Sequence, residues 1–386
     1  MANTARRRSN PSITTTGSPV GEITGGVDTH RDFHVVAALD GLGRLLGTAT
    51  FDATDVGYAR LAEWLAGFGP VPAVGVEGTG DYGAGLTRHL TGQHIRVVEV
   101  NRPNRQKRRR QGKSDTTDAI NAARAVLAGE AHAAPKLRSG PVESLRVLRE
   151  TKQQLTKART AAINTLRALL VTAPAGLRES MTGLNTRDLV AACANLDTPT
   201  VPASGLRGRA RTASHDELAE ALCDHETATR TALATLAATI TGYDTRLTEL
   251  TTQLEALIAR IAPRTLACRG LGPDTTTQLL VTAGDNPDRI HSEAAFARLT
   301  GVAPLDASSG QQQHHRLSRA GDRAANSALY RITLTRMATC ERTRTYLTQR
   351  LAANGSNKKH LIRCLKRYIT REIYPQLRTD LTTLTT

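Results

Sequence analysis

Hydrophobic and polar positions organise the chain from Ile23 onward. Residues 1–22 are polar, carry Pro and Gly and show no period, so a disordered basic arm is expected there. ITGGVD reads as a short strand, FHVVAAL (Phe33 to Leu39) as a second and LLGTATF (Leu45 to Phe51) as a third. Asp40-Gly41 between the last two is a hairpin signal. Leu61, Trp64, Leu65 and Phe68 recur at helical spacing over 55–68. Ala73 to Val76 reads as a buried strand, 81–91 as a helix and Ile95 to Val100 as a further strand, and a helix begins near Asp115. A three-stranded meander followed by helix, strand, helix, strand, helix is the order of an α/β RNase H-like domain, predicted over 23–135.

Beyond Pro141 the pattern changes to long helices. Leu145, Leu148, Leu155, Ala162, Leu166 and Leu169 follow a three–four alternation, with Lys152 and Arg159 in two seam positions. Leu233, Leu236, Ile240, Tyr243, Leu247, Leu250, Leu254, Leu257 and Ile261 keep the same alternation without a break. Such spacing predicts a coiled coil or an antiparallel helical hairpin across 141–262. Period alone does not choose between a seam within one chain and a seam between subunits. Residues 172–214, with Pro, Gly and the basic Arg207, Arg209 and Arg211, read as a variable linker. The last region, 263–386, is predicted mostly α-helical.

Composition narrows the partners. With 386 residues the chain exceeds one ordinary core. Its 51 Lys+Arg against 35 Asp+Glu, a net +16, favour a polyanion. The excess concentrates twice: seven basic residues (Arg102, Arg105, Lys107, Arg108, Arg109, Arg110 and Lys113) crowd one loop, and 15 Lys/Arg oppose three acids from His314 to Arg378, among them Arg316, Arg319 and Arg323. No run of about 18 apolar residues exists, and polar residues follow Arg6–Arg8 where a signal peptide needs an apolar stretch. A cytoplasmic, nucleoid-associated bacterial protein with no membrane partner is expected. Five scattered cysteines without a CxxC pair argue against a zinc ribbon or a disulfide framework. Aromatics at 3% are too few for a broad base-stacking platform, so contacts to the phosphate backbone should dominate.

Four carboxylates occupy chemically suggestive places. Asp28 ends the first strand in GVDTH and Glu77 ends the fourth in VGVEGTG, while Asp115 and Asp118 stand at i and i+3 in KSDTTDA. Strand ends and one helix face can converge on a point, and an oxygen-rich site of this kind suits Mg²⁺. Taken singly, each acid reads as a solvated residue or a helix cap, Asp115 in particular as an N-cap, whereas the four together on this topology read as a metal site. Glu77 is the most informative, because packing explains poorly a carboxylate that ends an apolar strand before Gly78 and Gly80. The basic loop beside these acids reads as a grip on phosphates.

GVDTHRDFHVVAALD, VGVEGTGDYG and KSDTTDAINAARAVL resemble the three acidic motifs of the DEDD transposases of the insertion-sequence one-ten family, which includes the pilin-gene invertases. LACRGLGPDTTTQLLVTAGD is similar to that family's helix-hairpin-like segment, and FARLTGVAPLDASSGQQQHHRLSRAGDRAANSALY to its serine-bearing block. The resemblance covers about 23–130 and 263–350. It implies a RuvC-like N-terminal domain in which Asp28, Glu77, Asp115 and Asp118 hold Mg²⁺, and a C-terminal domain whose nucleophile is Ser309. It implies cutting and rejoining of double-stranded donor and target DNA through a phosphoserine link, guided by a structured non-coding bridge RNA. It further implies homodimers and tetramers in which one subunit's acids work with another's serine. GQQQHHRLSRAGD stands where Gly and Lys are usual after that serine, which leaves the basic contacts just past Gly310 open.

A free serine hydroxyl is a poor nucleophile and needs a base, a metal or a polarised phosphate. Ala307-Ser308-Ser309-Gly310 without the resemblance reads as a polar turn. Gly270-Leu271-Gly272-Pro273 reads either as a plain loop or as backbone N–H groups that grip a phosphate. Three other activities compete. A hydrolytic junction resolvase would use the acids and a water. A DEDD exonuclease is disfavoured, because Asp28-Thr29-His30 lacks the usual Asp-x-Glu. A non-catalytic nucleic-acid scaffold would need only the basic surfaces and helices.

Overall fold

The strand patterns up to residue 100 assemble, in the computed structural model, into one sheet of β1 (Thr24–Thr29), β2 (Phe33–Leu39), β3 (Leu45–Asp52), β4 (Ala73–Glu77) and β5 (Arg96–Val100). The structure describes residues 21–100, 114–199, 208–310, 315–318, 320–354 and 357–384. The strands lie in the order β3-β2-β1-β4-β5. β2 runs antiparallel to both β1 and β3, whereas β1, β4 and β5 are parallel. The β2–β3 turn is held by Asp40, whose carboxylate accepts from the backbone N–H of Leu42 at 3.0 Å and of Arg44 at 2.8 Å. Gly43 takes the positive φ of 79° that this turn requires.

Two helices, α1 (Asp55–Ala66) and α2 (Ala84–Gly92), cover one face of the sheet. Ile23, Val27, Val36, Leu61, Leu65, Val74, Val76, Leu86 and Leu90 form the core between them. The third helix, α3 (Asp115–Leu127), covers the other face, where Ala119, Ala122 and Val126 meet Val35, Ala37, Val98 and Val100. Mixed sheet and flanking helices make this region an RNase H-like α/β fold.

The chain divides into two compact units: residues up to Ser144 together with those from Ile261 onward, and Leu145–Arg260. The second unit is built on α4 (Pro141–Val171), α5 (Ala175–Ser180), α6 (Thr186–Ala194), α7 (Gly208–Cys223) and α8 (His225–Ile261). Ile163 and Leu166 of α4 share a core with Leu233, Ala237 and Ile240 of α8, and Arg159 pairs with Asp244. Earlier residues of α4 thus meet later residues of α8, which is an antiparallel hairpin within one chain. Further along α8, Tyr243, Leu247 and Leu250 are half-buried. The segment 172–214, read as a linker, contains α5 and α6, whose Leu177, Leu189 and Cys193 are buried in that same core. Helices of six and nine residues are too short for a period to show in sequence.

In the first unit the C-terminal portion is mostly helical: α9 (Pro263–Leu266), α10 (Pro273–Ala283), α11 (Glu293–Leu299), α12 (Arg323–Thr339), α13 (Glu341–Asn354) and α14 (Lys358–Thr383). A small hairpin, β6 (Pro304–Asp306) with β7 (His315–Leu317), interrupts them. Leu279, Leu280, Phe296, Leu329, Ile332, Ile373 and Leu377 are buried here. The carboxylate of Asp380, also buried, accepts from the N–H of Thr265 at 2.8 Å and from its hydroxyl at 2.7 Å, which fixes α14 against α9. No helix among the described residues is long and apolar enough to cross a membrane.

One buried group in the sheet domain titrates unusually. His34 on β2 is fully buried and stacks on Tyr58 at 5.6 Å, and burial pushes its pKa down to about 4. Its neutral form is therefore the folded form. The unfolded chain gains a proton below about 6.5 that the folded chain refuses until about 4. Stability is retained above that window and falls through it as pH drops, by about 3 kcal/mol in total. We expect the thermal midpoint to drop between neutral pH and pH near 5, and His34→Phe, which keeps the stack, to drop less. Equal pH dependence in the two proteins, measured by circular dichroism melts, would contradict this account.

Candidate active site

Alternation along a strand puts Gly26 and Asp28 on one face of β1, and Gly75 and Glu77 on one face of β4. The parallel register pairs Gly26 with Gly75. Asp28 and Glu77 therefore stand side by side at the carboxyl ends of neighbouring strands, on the face that α3 covers. A Cβ at Gly26 would sit 2.2 Å from the Ala119 carbonyl oxygen and 2.3 Å from the Ala123 nitrogen. At Gly75 it would sit 2.7 Å from the Ala122 carbonyl oxygen. The helix packs on bare strand backbone with its alanine face, and no larger residue fits at either level.

That close approach brings the first turn of α3, with Asp115 and Asp118, to the strand ends. Ser114 is the N-cap, its hydroxyl accepting from the Thr117 N–H at 3.3 Å. Asp115 does not serve as the cap; its carboxylate faces the cluster instead. Asp28, Glu77 and Asp118 are 9%, 8% and 6% exposed, burial that solvated surface acids do not show. Asp115 is the most open of the four, with 41% of its side chain exposed. The position after Glu77 is also shaped. The Thr29 hydroxyl donates to the Glu77 carbonyl at 2.8 Å, and Gly78 turns the chain away with φ 71°.

His30 joins the acids, although its residue type and spacing announced nothing. Its Nε2 lies 3.3 Å from Asp28 Oδ2 and 3.3 Å from Asp115 Oδ2. One donor atom from each of Asp28, His30 and Asp115 falls within 4.8 Å of the others. The only sequence signal was its place two residues after Asp28. Converging carboxylates repel one another, so the arrangement asks for positive charge. The N-terminal end of the α3 dipole supplies part of it. The donor atoms present fit a divalent cation, and the carboxylate oxygens favour a hard one.

Ser309 lies exposed in the loop between β6 and β7. Its neighbour Ser308 is engaged: the Ser308 N–H donates to Asp306 Oδ1 at 2.9 Å and its hydroxyl donates to the same oxygen. Those hydrogen bonds from Ser308 hold the Asp306 carboxyl below the usual range. The Ser309 hydroxyl makes no such bond among the described residues, and Gly310 follows with φ 57°. Ser309 has no hydrogen bond to the four acids among the described residues. Arg316 and Arg323 are exposed, at β7 and at the start of α12. Arg102, Arg105, Lys107, Arg108, Arg109, Arg110, Lys113 and Arg319 lie outside the described residues. The turn at 270–273 has little left to offer a phosphate. The Leu271 N–H donates to the Cys268 carbonyl, the Gly272 N–H to Thr275 Oγ1, and Pro273 has no N–H.

Residues 25–173 match a family model for the DEDD transposases of IS110 elements, described as a transposase. Residues 264–348 match a second model, described as the transposase IS116/IS110/IS902 family. Together they span more than half of the chain. A search of curated proteins gave no match.

The α3 contact generates a prediction. Gly26→Ala should lower stability by about 1–3 kcal/mol, because helix backbone rather than a flexible side chain must move. Gly92→Ala, where an added Cβ meets nothing within 4 Å, should be near neutral. The rise in thermal midpoint on adding Mn²⁺ should shrink in Gly26→Ala, since α3 carries two of the acids. A Gly26→Ala protein with wild-type midpoints, with and without the ion, would mean that helix and sheet do not depend on this contact.

Proposed function

The chain belongs to the IS110 family of transposases, DNA-recombining enzymes, and on that premise we propose that it cuts and rejoins DNA strands with Asp28, Glu77, Asp115 and Asp118 as a Mg²⁺ site and Ser309 as nucleophile. The observation that carries the reading is that Asp28, His30 and Asp115 bring one donor atom each within 4.8 Å of one another, with buried Glu77 on the neighbouring strand end and buried Asp118 in the same helix turn. A divalent cation bound by them supplies positive charge to the entering and leaving oxygens of a phosphodiester.

The protein's own residues divide the remaining work. The strand ends and the first turn of α3 orient the carboxylates, and His30 places Nε2 3.3 Å from both Asp28 and Asp115. Ser309 presents an exposed hydroxyl beside a glycine, whereas the Ser308 hydroxyl is committed to Asp306. Its Oγ forms a bond to phosphorus as the bond from phosphorus to one sugar oxygen breaks. The hydroxyl proton passes to a basic group of the acid cluster, and the departing sugar oxygen takes up a proton. One DNA end then stays on the protein as a phosphoserine ester, and attack by another strand's hydroxyl restores the serine. A second subunit, in a dimer or tetramer, would complete the site. The net charge of +16 suits DNA together with a structured bridge RNA that pairs with donor and target.

Ser309→Ala should bind DNA normally and form no covalent adduct, while Ser308→Ala keeps substantial activity. Asp118→Asn should abolish cutting, as should chelation of Mg²⁺, with binding retained in both. Mass spectrometry of the denatured, nuclease-trimmed product decides the matter: the nucleotide should map to Ser309. Strand cutting with no adduct would favour a water nucleophile, as in a junction resolvase. Unchanged cutting by Asp118→Asn would remove that residue from the site.

The subunit question has its own readout. Leu247→Asp should convert oligomers to monomers in light scattering if the half-buried face of α8 joins subunits. Unchanged mass with a lower thermal midpoint would assign Leu247 to packing within one chain.

A further inference from the structure

A cavity of about 240 Å³ opens where the loop after Glu77 and the strand-like segment 133–138 meet the C-terminal helices of the same compact unit. Three cations line it. Lys136 Nζ donates to the Val281 carbonyl at 2.7 Å. Arg289 donates through Nε to the Ala134 carbonyl at 3.0 Å and through Nη1 to the Ala283 carbonyl at 3.1 Å. Arg138 holds a left-handed backbone, φ 52°, which costs a non-glycine residue on the order of 1 kcal/mol. Its carbonyl accepts from Arg88 at 3.2 Å, and its buried Nε has no hydrogen-bond partner.

The guanidinium of Arg138 rests on Gly80, where a Cβ would come within 3.0 Å of Nη2. Gly80 and Thr79, both on the cavity wall, follow Glu77 by three and two residues. The cations are thus fixed by neutral carbonyls and by packing. Among the described residues no ion pair joins any of the three to a carboxylate. Two acids, Glu99 and Asp322, also line the cavity. Asp322 is already occupied, capping α12 through the N–H groups of Ala324 and Ala325 and accepting from Thr282 at 2.7 Å. The balance is positive, and burial with the neighbouring Arg289 pushes Lys136 down to about 8. An anion in the cavity would offset that cost.

We infer that this cavity binds one backbone phosphodiester of a nucleic-acid strand, through Lys136, Arg138 and Arg289. Two guanidiniums and an ammonium around a small space match a tetrahedral monoanion with several acceptor oxygens. The inference rests on the proposed nucleic-acid function and adds a position to it: a strand held here passes the acids just beyond the Glu77 loop. Residues on both sides of the cavity hold the phosphate, so its binding also braces the RNase H-like part against the C-terminal helices.

Arg138→Gln is the clean test, because that side chain donates to no carbonyl. Full-length wild type and variant are titrated with a DNA duplex and, separately, with a structured RNA, between about 50 and 200 mM salt. The variant should bind the occupying strand roughly ten- to a hundredfold more weakly. Its log–log salt slope should flatten by about 0.9 for a duplex phosphate or about 0.7 for a single-stranded one. An effect confined to one arm names the source of the phosphate. Arg138→Lys should keep the slope but lose part of the affinity, since an ammonium lacks the fork; if Arg138→Gln does not fold, this variant alone decides. Wild-type affinity and slope in both variants would overturn the cavity site while leaving the transposase reading intact. A wild-type protein that binds neither nucleic acid would instead overturn that reading.

Discussion

Helix α3 rests on strand backbone, because Gly26 and Gly75 leave room for the carbonyls of Ala119 and Ala122, and the geometry of the acids follows from that contact. The two glycines are register partners on neighbouring parallel strands, so they form a flat strip two residues upstream of Asp28 and Glu77. The alanines on the helix complete the approach from the other side. A wall of ordinary side chains would hold the helix several ångströms higher, as layer packing of about 10 Å between faces implies. Asp118 would then stand away from the strand ends. Close packing has a cost here: the strip contributes little apolar area, and the leucines and valines under α1 and α2 supply most of the domain's burial instead.

Bringing carboxylates together is the opposite of what folding alone favours. Buried like charges destabilise a fold unless a cation answers them. The α3 N-terminus and, under the proposed function, a metal ion provide that answer. The same electrostatic logic runs with reversed sign at the cavity beyond Glu77, where Lys136, Arg138 and Arg289 crowd with too little negative charge. The loop that follows Glu77 lines that cavity through Thr79 and Gly80.

The C-terminal helices matter to the site because they share a compact unit with the sheet domain, although 116 residues separate the two in sequence. Their attachment is polar as well as apolar. Lys136, Arg289 and Asn286 each bond backbone carbonyls across the junction, and Asp285 accepts from the N–H of Val142. The intervening unit folds as a helical hairpin around its own core, with α5 and α6 tucked against it.

Sequence by itself determined the elements whose signal is local. Apolar runs bounded by turn signals showed β1 to β5, whose sheet is covered by helices on both faces, and the three–four spacing showed α4 and α8. The acids stood out as candidates too: Asp28 and Glu77 because carboxylates that end apolar strands have no packing explanation, Asp115 and Asp118 by their i and i+3 spacing. What only the tertiary structure decided is everything that depends on residues distant in the chain. Period could not say whether the α8 seam meets its own α4, because both arrangements bury the same face. His30 carried no signal beyond its place two residues after Asp28, for a histidine after a strand becomes a site residue only when Asp28 and Asp115 close on it. Lys136, Arg138 and the sequence-distant Arg289 were not among the predicted basic contacts, and chain closure places them around one cavity. Sequence assigned no role to Gly26 and Gly75, and only the helix laid across them shows that the missing side chains are the requirement.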